Sequence, residues 1–218
     1  GDYTVGVVGS NAEDNAGIYT GRPVLYTRGD GGGDWDNPKT WNYIDGSGVE
    51  HWLYDDTGDV AADYKIDGNP VHILPGDVVN VKRSHTNAYS LTFDDGTEMG
   101  VLNLGNTVGS NFGRVNGTGK LIMEPVETEG DKYYKMPAGN FTTFLSDERS
   151  IVEFAGGDGK LPNAVVGHVS LPLQNVILSG GGTKTLTKEY GEYINKSMVI
   201  RNGTKLAFGN TPIYMKGD

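Results

Sequence analysis

The sequence predicts an all-β protein built as a parallel β-helix-like solenoid. Three observations carry that expectation. Short runs of alternating, β-branched residues recur along the chain. Asn or Gly closes most of them, as in "NLGN", "VNGTG", "LSGGG", "IRNGT" and "FGNTP". The main runs return every ~20–30 residues, the range of stacked repeat architectures. Glycine fits the same picture: 34 of 218 residues is well above the roughly 7% average and implies many turns and few helices. An antiparallel β-sandwich is the competing architecture, because the same strands could pair through hairpins. Hairpins favour two-residue Asn-Gly or Asp-Gly links. The long, irregular links at 124–150 and 155–175 favour the solenoid.

Taken in order, residues 1–29 read as N-terminal strands or a cap, with "TVGVVG" and "RPVLYT" as the strand runs. Residues 30–218 read as a single β-solenoid domain with an acidic, tryptophan-bearing insertion at about 45–73. From Asp77 the strand runs are "DVVNVKR" (77), "SLTF" (90), "GVLNLG" (100), "GKLIME" (119), "SIVEFA" (150), "NVILSG" (175) and "MVIRNG" (198). "LSDERSIVEF" starts as a helix from Ser146 and soon turns β-like. The run "NVILSGGGTKTLT", 175–187, reads as a strand, a glycine corner with room for positive φ, and the next strand of a coil.

Charge narrows the function classes. The net charge is −10, so nucleic acid and an anionic membrane surface would be repelled. No apolar run approaches the ~20 residues of a membrane span, so no membrane insertion is expected. The chain has no cysteine, which excludes disulfides and thiolate metal sites. Divalent cations and neutral carbohydrates are the better partners.

A family resemblance covers most of 31–210. Pro137, Ala138, Gly139, Phe141 and Phe144 supply a "P-A-G-x-F-x-x-F" phrase, Val152 to Phe154 a "V-E-F" strand, and Asn175 to Leu186 an "N-V-I-L-S-G-G-G-T-K-T-L" phrase. "GGGDWDNPKTWN" (31–42) and "LPGDVVNVKRSHTNAYSLT" (74–92) add two more. Together they resemble a repeat unit of very large Bacteroidetes surface adhesins exported by type IX secretion, some tied to gliding. The resemblance implies repetitive β-structure, an extracellular cell-surface setting and neighbouring modules of a longer chain. It implies no reaction and no catalytic residues. Residues 1–29 lie outside it, and the 45–73 segment is bulkier than the family phrase.

Motifs for chemistry are few. "RVNGTGKL" (114–121) lacks the first glycine and the hydroxyl of a phosphate loop and reads as a turn before a strand. No G-x-S-x-G elbow and no H-E-x-x-H occurs. His85 reads as a strand edge or coil corner. Scattered acids could in principle form a glycosidase pair, but no spacing singles one out. Acidic glycine-rich loops suit calcium: Asp30, Asp34 and Asp36 in one, Asp55, Asp56 and Asp59 in another, with solvated turn aspartates as the alternative. The aromatics Trp35, Trp41, Tyr43, Trp52 and Tyr54 suggest a carbohydrate-stacking site. For Trp35 and Trp41, plugging the solenoid end is the favoured alternative, which leaves Trp52 as the exposed ring. The functional expectation is a non-enzymatic extracellular module of a bacterial adhesin, attaching to surfaces, cells or glycans and stiffened by calcium. A carbohydrate-binding module is the alternative; a polysaccharide lyase or hydrolase is less favoured.

Overall fold

The computed structural model describes residues 23–44, 48, 50–53, 66–162, 173–186 and 194–208. They form an all-β structure of three sheets. Sheet 1 holds, in spatial order, β13 (Ala138–Asn140), β9 (Asn111–Gly117), β7 (Ser90–Phe93), β5 (Pro70–Ile73), β1 (Leu25–Thr27), β3 (Trp41–Ile44) and β4 (Glu50–Trp52). Sheet 2 holds β18 (Ile194–Ile200), β16 (Leu173–Leu178), β14 (Ile151–Phe154), β10 (Gly119–Met123), β8 (Gly100–Asn103), β6 (Val78–Asn80) and β2 (Gly32–Asp34). Sheet 3 holds β11 (Val126–Thr128), β12 (Asp131–Tyr133), β15 (Gly159–Lys160), β17 (Gly182–Leu186) and β19 (Thr204–Phe208).

The chain visits the sheets in turn. β5, β7 and β9 lie in sheet 1, and each is followed by a sheet 2 strand, β6, β8 and β10. Further on, β16 and β18 lie in sheet 2 and are followed by β17 and β19 in sheet 3. Pairing is parallel except for β1–β3, β3–β4 and β11–β12. The antiparallel sandwich is therefore not the arrangement of these strands. Parallel neighbours need a crossover between them, and here the strands of the other sheets supply it.

Alternation decides which side chains point inward. In register, Leu121 lies beside Val152, and Val152 beside Val176; all three are buried. Val71, Leu91 and Val115 form the same kind of column in sheet 1. Each fully buried side chain of this type contributes about 1.5–3 kcal/mol before the ordering cost. Asparagines add rungs at the surface: Asn103 Nδ2 donates to Asn80 Oδ1 at 3.0 Å, and Ser197 Oγ donates to Asn175 Oδ1 at 2.8 Å.

The glycine corner has a steric cause. β16 and β17 do not pair with each other; they lie in different sheets, joined by Ser179–Gly181. Gly180 has φ +76, and a Cβ there would sit 2.3 Å from the Gly156 amide nitrogen of the neighbouring corner. Two successive corners stack in backbone contact, which no side chain permits.

Three sequence expectations are refined. The helix α1 is Thr142–Ser146 and ends where a start was expected; it buries Phe144 and Leu145. Beyond it, Asp147 is extended and the chain enters β14. The expected 45–73 insertion includes core strand β5, whose Val71 and Ile73 are buried. His85 occupies the turn between β6 and β7 with φ 62, and its backbone N–H donates to Val108 O at 2.8 Å.

Candidate functional site

Trp35 and Trp41 are removed from any sugar-stacking set. Both are fully buried. Their rings meet edge-on with centroids 5.3 Å apart, and Trp35 also packs on Phe112 at 5.5 Å. Trp41 Nε1 donates to the Trp35 carbonyl at 2.8 Å, and Trp35 Nε1 donates to Asp67 Oδ1 at 3.1 Å. Aromatic bulk placed beside the end strand β2 goes into the core because it buries the most apolar area there. Tyr43 is half-buried and stacks on His51 at 5.0 Å. Trp52 ends β4 opposite Asn42, and Tyr54 lies outside the described residues.

Of the expected calcium ligands, the described Asp30, Asp34 and Asp36 do not converge. Lys82 Nζ donates to Asp34 Oδ2 at 2.7 Å. Arg83 grips Asp36 with Nε and Nη2 at 3.0–3.3 Å and reaches Asp67 Oδ2 at 2.7 Å. Asp30 faces Arg28 at 3.7 Å. Among the described residues no group of three acids or histidines could hold a metal ion. Asp55, Asp56 and Asp59 lie outside the described residues.

The outward face of sheet 1 brings together groups that lie far apart in the sequence. Leu25, Thr27, Val71, Ile73, Leu91 and Phe93 point inward and are buried. The residues between them point outward, and register lines them up. Tyr26 pairs with His72, His72 with Thr92, and Thr92 with Asn116. All four are half-exposed. The Tyr26 and His72 rings sit 4.7 Å apart, tilted by 40°. His72 Nδ1 lies 2.7 Å from Asp94 Oδ1. The carboxylate only accepts, so Nδ1–H donates and Nε2 is the ring nitrogen left for another partner. Burial first, and the Asp94 charge second, raise the Tyr26 phenol above its ordinary value, so it keeps its O–H.

No family model, curated protein or solved structure matches this chain. Its chemistry is read from the side chains themselves. Sequence reasoning missed this row because each member is one polar residue in an alternating strand. The signal was present in "LYT", "VHI", "LTF" and "VNG", but only pairing partners tell which of these residues adjoin.

Two buried polar clusters lie away from this face. Glu153 is 5% and Ser179 7% exposed. Glu153 forms an ion pair with Lys120 and accepts from Ser179 Oγ at 2.5 Å. Burial would raise this carboxyl, but the hydrogen bonds from Lys120 and Ser179 outweigh it and hold the carboxyl below its usual value. The second cluster is at the glycine corner. Lys184 is fully buried, and its ammonium donates to the carbonyls of Gly156, of Gly157 at 2.6 Å and of Gly181 at 2.8 Å. It lies over the Tyr134 ring, 5.6 Å from the centroid. The Tyr134 hydroxyl donates to Ala155 O at 2.6 Å. Burial lowers the Lys184 amine below its ordinary value, against the opposing charges of Asp158 and Glu124. These sealed groups bind one circuit of chain to the next and present nothing to a ligand. The lysine of the "GGGTKT" phrase thus has a structural task.

Proposed function

We propose that this chain is a non-enzymatic, extracellular β-solenoid module of a bacterial cell-surface adhesin, one of several modules in a longer chain. One observation supports it most: most strands pair in parallel with a later strand of the same sheet, from β5 to β7 to β9 and from β10 to β14 to β16 to β18. A stack held by continuous backbone ladders is stiff along its axis, as a spacer needs. The outward side chains of sheet 1 are available for contact. Repeated weak contacts then sum through effective concentration. The last described strands support neighbouring modules: Val199, Ile200 and Phe208 are about half exposed, at 49%, 47% and 55%.

Flow retention tests this. Beads coated with the full chain are passed over bacterial and plant cell-wall surfaces. Retention well above that of albumin-coated beads is expected, without release of reducing sugar from added polysaccharide. Retention equal to albumin overturns the attachment reading, and sugar release overturns the non-enzymatic one.

A further inference from the structure

Resting on that attachment reading, we propose that the outward row of sheet 1 — Tyr26, His72, Thr92 and Asn116, with Asp94 beside it — binds a neutral polysaccharide laid across the strands. The row crosses four strands in register. At about 4.8 Å between strands it spans ~14 Å, the length of a short oligosaccharide. Its chemistry suits sugar. The Tyr26 ring offers an apolar surface to sugar C–H faces. His72 Nε2 is placed to hydrogen-bond a sugar hydroxyl, with the ring held by Asp94 at 2.7 Å. Thr92 and Asn116 each donate and accept. Four groups carried on rigid strands lose little freedom on binding, which favours affinity from a small face.

Charge selects the ligand class. Asp94 borders the row, Glu98 is exposed, Asp95 is paired with Arg149, Arg114 is the exposed cation on the same face two residues from Asn116, and the chain carries −10 overall. A polyanion is repelled. An extended peptide would add to a strand edge, not lie across strand faces. An unpartnered buried acceptor lies beside the row's end. Asn42 pairs in register with Tyr26 and is buried. Its Nδ2 donates to Glu50 Oε1 at 2.5 Å, while Oδ1 has no hydrogen-bond partner among the described residues. An orphaned acceptor costs about 1–3 kcal/mol.

Affinity electrophoresis of the full chain in gels containing xylan, mannan or laminarin, with polygalacturonate as the anionic control, tests the proposal. Retardation by at least one neutral polymer is expected. Tyr26→Ala and Thr92→Lys should each weaken it at least about tenfold, which is ~1.4 kcal/mol. Val101→Thr, on the outward face of sheet 2, should leave it unchanged. If Tyr26→Ala disturbs folding, Thr92→Lys at a half-exposed position decides the matter. No retardation by any neutral polymer overturns the proposal. So does retardation that survives Thr92→Lys, or stronger binding to polygalacturonate. Bead retention separates this from the attachment reading: retention that persists in Thr92→Lys rejects the sheet 1 site and leaves attachment standing.

Discussion

On sheet 1 the outward row reads Tyr26, His72, Thr92 and Asn116; on sheet 2 an equivalent row reads Asn80, Asn103, Ile122, Glu153, Ile177 and Val199. Both sheets have seven strands and inward aliphatic columns, with ladders parallel except at β1–β3 and β3–β4 of sheet 1. They differ in what faces out. Sheet 2 sets aliphatic side chains around a buried carboxylate that pairs with Lys120 and Ser179. Sheet 1 leaves half-exposed polar and aromatic groups whose hydrogen-bonding capacity is only partly used. The backbone ladder and inward columns hold both sheets, and the outward positions differ. One set reinforces the stack, and the other is left available for contact.

Four outcomes would break or sharpen that contrast. The largest belongs to sheet 2: Glu153→Ala leaves Lys120 half-buried without its carboxylate, and a loss of about 3–5 kcal/mol is expected in urea unfolding. An effect under ~1 kcal/mol would place Glu153 with surface residues. Next comes the corner where sheet 2 meets sheet 3. Lys184→Met strips three carbonyls of their donor, and a loss on the order of 3 kcal/mol is expected from the same measurement. The third is a pH effect. The Glu153 carboxyl is lower in the folded chain than in the unfolded one, so the unfolded state takes up the proton more readily. The stability it contributes is complete above the ordinary glutamate range and is lost as pH falls through and below that range. Comparing acid unfolding of the wild type with Glu153→Gln should show a shallower acid slope in the variant. The smallest effects belong to exposed groups. Thr92→Lys on sheet 1 and Arg83→Ala at the surface ion pairs should each change stability by less than ~1 kcal/mol. A larger loss at Thr92 would show that the sheet 1 row also holds the fold.

Much of the strand order was legible from the sequence. The runs beginning at 77, 90, 100, 119, 150, 175 and 198 each contain or overlap an observed strand, because alternation and β-branching act locally. β9 was harder to see, since "NFGRVNG" carries glycines where packing against the Tyr89 and Phe93 carbonyls leaves no room for a side chain. β5 was hidden inside an acidic segment whose composition suggested an insertion. The candidate site was less legible than the fold. Tryptophans and aspartates attract notice individually. Yet the structure buries Trp35 and Trp41 and commits Asp34 and Asp36 to Lys82 and Arg83.

By itself the sequence determined an all-β chain with few helices, a glycine corner at 179–182, and a net charge of −10. These follow from local backbone preference and from charge, which need no knowledge of neighbours. Tertiary structure alone decided register: it set Tyr26 beside His72, Thr92 beside Asn116, and Lys184 beneath the carbonyls of a corner formed a full circuit earlier. Side chains that meet across parallel strands are separated by a whole crossover. Their adjacency is a property of long-range pairing, and no short stretch of residues records it.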